Sequence, residues 1–241
     1  MSVEIALATA LGALIGSFVS GLAGFAFGLV ALTLWLHVLA PTLAAPLVVA
    51  CSLAVQLLAL PSLWRAIQPG RVWPFVVCGL IGVPLGSFLL GILDAALFRR
   101  VLGGFLLAYG GIMLFLPPMS PFARAGRLAD GAVGLSGGVL GGLAGLSGAL
   151  PTLWCGLRGW DKDAQRAVYQ PFNIAIHVAT LLAHGRDGYL NEEFGWGFLV
   201  CLPALGLGGW LGIKLYRRID DARFRRIVLW LLIISGATLL I

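Results

Sequence analysis

Charged residues are scarce in this chain. Asp, Glu, Lys and Arg make up 11% of its 241 residues, whereas 60% are hydrophobic and the mean hydropathy is +0.99. This balance excludes an ordinary soluble domain, and apolar stretches long enough to cross a bilayer recur from end to end. The chain is therefore predicted to be an all-α integral membrane protein, a polytopic helical bundle that forms a single domain, residues 1–241, in the lipid bilayer.

Cysteine is also scarce, and its four positions, Cys51, Cys78, Cys155 and Cys201, are scattered through apolar stretches without the spacing of a metal site. No ATP-binding loop of the Gly-xxxx-Gly-Lys type is present, so coupling to ATP would need another chain. We expect no cofactor and no bound metal. The net charge of +6 does not predict nucleic-acid binding, because the cations lie at the ends of apolar segments, where they determine topology.

The second half of the chain reads as a rewritten copy of the first. Gly21–Gly24 recurs as Gly142–Gly145 with the same letters, a shift of 121 residues, and the shift grows to 126 nearer the ends. In an apolar chain, an internal duplication indicates a transporter built from two repeats around a central site. We predict a first repeat at 1–117, a polar linker at 118–127 and a second repeat at 128–241.

Helical segments can be delimited on both sides of the linker. The ten predicted segments are Ile5–Val19, Phe25–Leu39, Thr42–Ala66, Val72–Leu93, Phe98–Leu116, Leu128–Gly141, Ala149–Leu157, Asp163–His184, Phe194–Arg218 and Ala222–Ile241. Each repeat opens with a glycine-broken pair of short helices, followed by three longer helices. Such a repeat crosses the membrane an odd number of times, whether the short pair spans it or re-enters it. The second repeat is therefore predicted to be inverted relative to the first.

The distribution of basic residues favours the inverted arrangement. It places 13 Lys and Arg residues on one side of the membrane and 3 on the other, against 11 and 5 for parallel repeats. Arg158, Lys162 and Arg166 are counted on the richer side, as cations at the ends of segments. By the positive-inside rule this side is cytoplasmic, and both termini lie outside.

Glycines interrupt the short helix pair of each repeat, at Gly24 and at Gly145. Glycine frees the backbone to turn, and a helix that restarts there directs unpaired N–H groups at the break. Such helix starts favour anions, and the hydroxyl of Ser147 adds a donor at the second break. For one glycine alone, close helix packing is the more common explanation. The duplicated pair favours a substrate site, because it matches the discontinuous helices of transporters.

A polar stripe follows the second break. Gln170, Asn173 and His177 share one face of a predicted helix, and the repeat shift pairs Ser52 with Asn173 and Gln56 with His177. If a pseudo-twofold axis passes through the site, these pairs face each other across it. His177 has two interpretations: it titrates and supplies a counter-charge or carries a proton, or it is neutral and hydrogen-bonds across helices. No carboxylate is predicted at mid-membrane, which favours an anionic substrate.

The order of these motifs resembles the TauE/SafE-type exporter family, also called the sulfite/organosulfonate exporter or TSUP family. The resemblance covers nearly the whole chain and rests on four stretches: Gly16–Phe25, Gly137–Leu146, Leu97–Arg100 and Arg166–Asn173. It implies a membrane transporter, not an enzyme, for sulfite, thiosulfate, sulfonates or related small organic anions. It also implies export, driven by the proton gradient, across the cell (inner) membrane.

The leading hypothesis is a secondary transporter in which one repeat rocks against the other to give alternating access. The expected substrate-binding residues are Gly24, Ser52, Gln56, Gly145, Ser147, Gln170, Asn173 and His177. The expected partners are a small anionic substrate, protons and the lipid bilayer, and a homodimer is left open.

Two alternatives come from other classes of protein. The stretch Gly145–Gly148 resembles the nucleophile turn of rhomboid intramembrane serine proteases, with His177 as the base for Ser147. The repeat partner of Ser147 is Ala26, and rhomboids are not built from a duplicated body, so both features count against a protease. An anion channel is the second alternative, and the ion dependence of flux distinguishes it, because a channel needs no coupling ion and conducts steadily. A scaffold without turnover would show no flux at all.

Overall fold

The computed structural model describes residues 3–90, 92, 94–115 and 122–240. Within these residues the chain forms ten α-helices and no strand. The helices are α1 (Val3–Ala23), α2 (Phe27–Trp35), α3 (Pro41–Ala59), α4 (Pro69–Leu90), α5 (Ala95–Phe115), α6 (Arg127–Ala144), α7 (Ala149–Leu157), α8 (Lys162–Arg186), α9 (Glu192–Tyr216) and α10 (Asp221–Leu240). Parts of four predicted features lie outside the described residues: the linker at 118–121 and the segment ends Leu93, Leu116 and Ile241.

The predicted all-α membrane architecture is confirmed. Four of the described helices, α1, α3, α4 and α9, are long and apolar enough to cross a membrane. Each predicted segment corresponds to one α-helix within a few residues, apart from Thr42–Ala66, where α3 ends at Ala59 and two 3₁₀ turns follow. Pro61 lies in the first of these turns and has no N–H to continue the α-helical pattern, which explains the early end.

Polar caps mark the starts of the long helices of the second half. The Asp161 carboxylate accepts a hydrogen bond from the Ala164 backbone N–H at 2.8 Å, at the start of α8. The Asn191 side-chain oxygen accepts a hydrogen bond from the Phe194 backbone N–H at 3.0 Å, at the start of α9. Each cap satisfies one of the N–H groups that a helix start leaves without an intrahelical partner. The cap at Asp161 fixes where α8 begins and therefore which residues of α8 reach the interior.

The two short helices fold back along the helices that precede them. The Trp35 indole N–H at the end of α2 donates to the Thr9 carbonyl of α1 at 3.1 Å. At the end of α7, the Trp154 indole donates to the Asp130 carboxylate of α6 at 2.7 Å. Each short helix has 9 residues and is about 14 Å long at 1.5 Å per residue, well short of the roughly 30 Å hydrocarbon core. Each pair is therefore a hairpin in which a short helix returns along a longer one.

The most extensive contacts between helices join one half of the chain to the other. α1 packs along α9, α6 packs along α4, and α5 packs against α10. Glycine permits the close approach of the backbones in the first two pairs. A Cβ on Gly212 of α9 would overlap the carbonyl oxygen of Phe18 in α1. A Cβ on Gly138 of α6 would overlap the carbonyl oxygen of Gly79 in α4. α3 and α8 contact each other between these pairs. The repeat boundaries and the inversion of the second repeat stay predictions.

Candidate functional site

Both predicted glycine breaks are turns that require glycine. Gly24 follows α1 with φ +86°, and Gly145 follows α6 with φ +70°, a left-handed conformation that L-residues with a Cβ avoid. A Cβ on Gly24 would also lie 3.1 Å from Arg166 Nε, and one on Gly145 would lie 2.7 Å from Val48 Cγ1. Two residues separated by the repeat shift of 121 thus adopt the same unusual backbone conformation.

The tips of the two hairpins meet inside the bundle. A Cβ on Gly28, in the first turn of α2, would lie 3.3 Å from the Gly145 carbonyl oxygen. One on Gly148, which precedes α7, would lie 2.6 Å from Asn173 Nδ2. Neither α2 nor α7 has a side-chain cap at its start. The N-terminal dipole ends of both short helices therefore point into the interior without a capping side chain.

Five predicted site residues form one hydrogen-bonded group, which we call the central polar cluster: Gln56, Ser147, Gln170, Asn173 and His177. Gln56 Nε2 lies 3.0 Å from His177 Nδ1, and Ser147 Oγ lies 3.2 Å from His177 Nε2. Ser147 donates to Asn173 Oδ1 at 2.9 Å, and Gln170 Nε2 donates to the Gln56 carbonyl at 3.0 Å. The shift-related residues Gln56 and His177, which were predicted to face each other, are thus in direct contact.

The partners of His177 define its tautomer. Gln56 Nε2 is a donor, so Nδ1 of the ring accepts and the proton resides on Nε2. Nε2–H then faces the Gly145 carbonyl at 3.3 Å and the hydroxyl oxygen of Ser147. Ser147 uses its own proton for Asn173. A neutral imidazole therefore satisfies this arrangement, which agrees with the second of the two interpretations of His177 for this conformation.

Several polar atoms around the cluster lack a partner. In the described part of the chain, Ser52 Oγ, Gln56 Oε1 and Asn173 Nδ2 are buried without a hydrogen bond. Ser52 was predicted to face the cluster, and it is buried but does not join the hydrogen-bonded group. Because an unpaired buried polar group is costly, these atoms are the available contacts for a polar ligand.

Arg166 and Tyr169 belong to the same interior and were not among the predicted site residues. Arg166 was counted as a cation at a segment end, but its exposed fraction is 0%. Its Nη2 donates to the Gly21 carbonyl at 2.9 Å, its Nη1 to that of Leu22 at 3.3 Å and its Nε to Gln170 Oε1 at 2.9 Å. The Tyr169 hydroxyl donates to the Ala23 carbonyl at 2.6 Å. These two side chains therefore cap the C-terminal end of α1.

A signal for Arg166 was present in the sequence. The residue lies one helical turn before Gln170, so the polar stripe extends to it without a change of face. Its position near the start of a segment instead suggested a loop cation. The corrected distribution of basic residues loses Arg166 from the richer side, because a fully buried guanidinium does not act as a solvent-exposed topology signal.

Cavities lie at the two ends of the bundle. One of about 690 Å³ is lined by Arg71, Arg127 and Arg158, and we call this end the arginine end. Another of about 170 Å³ is lined by residues that include Tyr189 and Glu193. The 25-residue helix α8 runs between the two ends. All eight predicted site residues are buried, and none of them lines either cavity. The described conformation is therefore closed around the cluster on both sides.

The contact between Ser147 and His177 is also what the protease alternative requires. However, the hydroxyl proton of Ser147 is donated to Asn173, away from the imidazole. Both side chains are at most 2% exposed, so no route leads a peptide bond to the hydroxyl in this conformation. The geometry of the pair therefore does not favour nucleophilic catalysis.

Comparison with known families resolves the class of protein. A sequence model of the family described as Sulfite exporter TauE/SafE matches residues 8–239. The chain belongs to this family and is a multi-pass membrane transporter, not an enzyme. The rhomboid-type protease is thereby ruled out. No curated protein and no solved structure matches the chain.

Proposed function

We propose that this TauE/SafE family member exports small sulfur-containing or organic anions, such as sulfite, thiosulfate or sulfonates. It works as a secondary transporter, by alternating access of its two repeats, and is coupled to protons. It lies in the inner membrane with both termini outside, so that the arginine end faces the cytoplasm. The substrate binds in the central polar cluster, between the glycine breaks at Gly24 and Gly145.

The observation that carries this proposal is the character of the buried interior. Two uncapped helix starts point at a cluster that contains no carboxylate among the described residues. The unpaired amide N–H₂ of Asn173 and the hydroxyl of Ser52 can both donate to an anion. The nearest buried ion is the guanidinium of Arg166. Helix dipoles, neutral donors and one cation together favour a small oxyanion and disfavour a cation.

Gln56 and His177 provide a means of proton coupling. In the closed conformation Gln56 Nε2 donates to the neutral ring, and Gln56 Oε1 has no partner among the described residues. Protonation of His177 would place a second N–H at Nδ1, opposite the amide N–H₂. A turn of the Gln56 amide then brings Oε1 to that N–H and restores the hydrogen bond. The cluster can therefore accept a proton without losing this contact.

Helix α8 contacts the ends of both α1 and α6, the helices that lead into the two glycine breaks. Arg166 and Tyr169, near its start, hold the carbonyls that end α1. His177 and His184, two and four turns further on, contact the Gly145 and Gly142 carbonyls at the end of α6. Movement of one hairpin relative to α8 would open one side of the cluster while the other stays held. This arrangement supports alternating access rather than a continuous pore.

The proposal is tested by flux in liposomes that contain the purified protein. We expect uptake of labelled sulfite that is accelerated by unlabelled sulfite on the opposite side, because a carrier exchanges substrate while a channel does not. Asn173→Asp is expected to abolish uptake, since it places a carboxylate next to the bound anion at nearly constant shape. Asn191→Asp makes the same exchange at the exposed cap of α9, where Asp serves as well, and is expected to leave uptake unchanged.

Flux of sulfite without acceleration by exchange would instead identify an anion channel. Absence of flux for sulfite, thiosulfate and sulfonates alike would refute the proposed function. Uptake by Asn173→Asp at the rate of the unaltered protein would place the substrate elsewhere in the molecule.

A further inference from the structure

The cavity at the arginine end has positively charged walls that the proposed substrate site does not use. Its volume of about 690 Å³ lies within the roughly 300–1,000 Å³ of small-ligand pockets. Among the described residues that line it, Arg71, Arg127 and Arg158 are cations and Asp130 is the one carboxylate. The wall therefore carries an excess of positive charge.

Asp130 compensates one of the three cations. Its Oδ1 accepts hydrogen bonds from Arg158 Nη1 and from the Trp154 indole, both at 2.7 Å. Arg71 and Arg127 have no carboxylate within ion-pair distance among the described residues. Two guanidinium groups of the cavity are therefore available to an anion.

The aromatic ring of Trp160 brings two of these cations together. The guanidinium carbon of Arg71 lies 5.1 Å from the ring centroid and that of Arg158 lies 5.0 Å from it. Neighbouring like charges repel each other, and an anion between them removes this repulsion. In addition, Arg158 Nε is buried without a hydrogen-bond partner, which is costly for a charged donor. A ligand oxygen in the cavity would satisfy both requirements.

The neighbouring carboxylates do not cancel this charge. Asp161 and Asp163 line an adjoining cavity of about 220 Å³, which shares Arg71 with the first. Asp161 caps α8, and Asp163 accepts a hydrogen bond from the Tyr216 hydroxyl. The stretches that line the two cavities contain six Lys and Arg residues and three carboxylates: 66–71, 123–130 and 158–168. The excess of positive charge therefore remains when the adjoining cavity is included.

Two helix starts face the same cavity. A Cβ on Gly134 of α6 would lie 2.4 Å from the Phe75 carbonyl oxygen of α4, and one on Gly142 would lie 2.4 Å from that of Val83. The two helices are therefore parallel, and both begin at the arginine end. The N-cap of α6 is Gly126, which makes no side-chain cap. The positive dipole ends of both helices thus add to the attraction for an anion.

The rim of the cavity is apolar and open to the bilayer. Phe122 is 45% exposed and Leu128, next to Arg127, is 93% exposed. Leu128 shares an exposed face of α6 with Ala132 and Leu135, at helical spacing. A soluble anion would leave this face uncovered, whereas the acyl chain of a lipid would lie along it. The combination of a cationic pocket and an apolar rim is typical of a site for a lipid head group.

We propose that the cavity at the arginine end binds the head group of an anionic phospholipid. The phosphate oxygens accept hydrogen bonds from Arg71, Arg127 and Arg158 Nε, because guanidinium groups bind phosphate with charge-assisted hydrogen bonds. The acyl chains lie against the exposed face of α6. This inference goes beyond the proposed function and does not depend on which anion is transported.

Thermal unfolding of the purified protein in detergent tests the proposal without a transport assay. Phosphatidylglycerol is expected to raise the Tm, because a ligand that binds the folded state stabilises it by mass action. Phosphatidylcholine with the same acyl chains carries no net charge and is expected to have little effect. An equal rise with the two lipids would overturn the proposal. The same rise with inorganic phosphate or sulfite would also overturn it, because the site would then bind a soluble oxyanion.

Substitutions separate this cavity from a general attraction of lipids to surface cations. Arg127→Gln is expected to increase roughly fivefold the phosphatidylglycerol concentration that gives half of the Tm rise, as for the loss of one cation near anionic lipid. Arg65→Gln removes the same charge from an exposed turn before α4 that does not line the cavity, and is the matched control. An equal shift in both variants would overturn the proposed site. If Arg127→Gln does not fold, the comparison of the two lipids on the unaltered protein decides.

Discussion

Replacement of Gly145 by alanine tests the second glycine break directly. The residue has φ +70°, and a non-glycine residue in this region costs about 1–2 kcal/mol. The added Cβ would lie 2.7 Å from Val48 Cγ1 and 3.1 Å from Val49 Cγ2, and overpacking of this kind costs about 1–3 kcal/mol. We therefore expect Gly145→Ala to lower the free energy of unfolding by about 2–5 kcal/mol.

Thermal unfolding of the purified protein in detergent measures this loss. At about 2–4 °C per kcal/mol for a chain of this size, the Tm of Gly145→Ala should fall by roughly 4–20 °C. Gly156→Ala is the matched control, because a Cβ at Gly156 meets open space near the end of α7, and its Tm should stay the same or rise slightly. The double variant with Val48→Ala should recover the packing part of the loss and not the backbone part. An unchanged Tm for Gly145→Ala would refute the reasoning.

Two further predictions concern the cluster and the helix contacts. His177→Ala is expected to slow sulfite transport by about tenfold or more, since it leaves buried hydrogen-bonding groups unpaired. His37→Ala, at an exposed turn, is the control and should leave the rate unchanged. Equal transport rates for the two variants would remove His177 from the mechanism. Gly138→Ala is expected to lower the Tm, because its Cβ would overlap the Gly79 carbonyl. Gly104→Ala is the control, since its Cβ meets open space. A Tm of Gly138→Ala no lower than that of Gly104→Ala would contradict the contact of α6 with α4.

The helices of this protein could be predicted because their signals are local. Apolar runs, interrupted by glycine, proline and polar residues, determine where each helix begins and ends. Apart from the early end of α3 at Ala59, the observed bounds differ from the predicted ones by a few residues. The break at Gly145 was recognisable for the same reason, since glycine clusters are visible in the sequence. The repeat shift predicted that Gln56 and His177 face each other across the site, and in the structure their side chains lie 3.0 Å apart.

The hydrogen-bond partners of Arg166 could not be derived from local signals, although its place on the polar stripe could. Its partners, the carbonyls of Gly21 and Leu22, lie 145 and 144 residues earlier in the chain, and backbone carbonyls leave no mark in the sequence. The hairpin form of the short helices also depended on a distant partner, since the Trp35 indole reaches back to Thr9. Both features arise from tertiary packing, which can bury a charged residue against the local expectation.

During synthesis, α1 enters the membrane long before its packing partner exists. Its face at Phe18 fits against α9, which begins only at Glu192. α4 is likewise synthesised before its packing partner α6, which belongs to the second half of the chain. Nascent helices with open glycine faces must therefore stay in the bilayer, solvated by lipid, until most of the chain has been inserted. Native assembly is consequently a late event, in which both halves acquire their structure together.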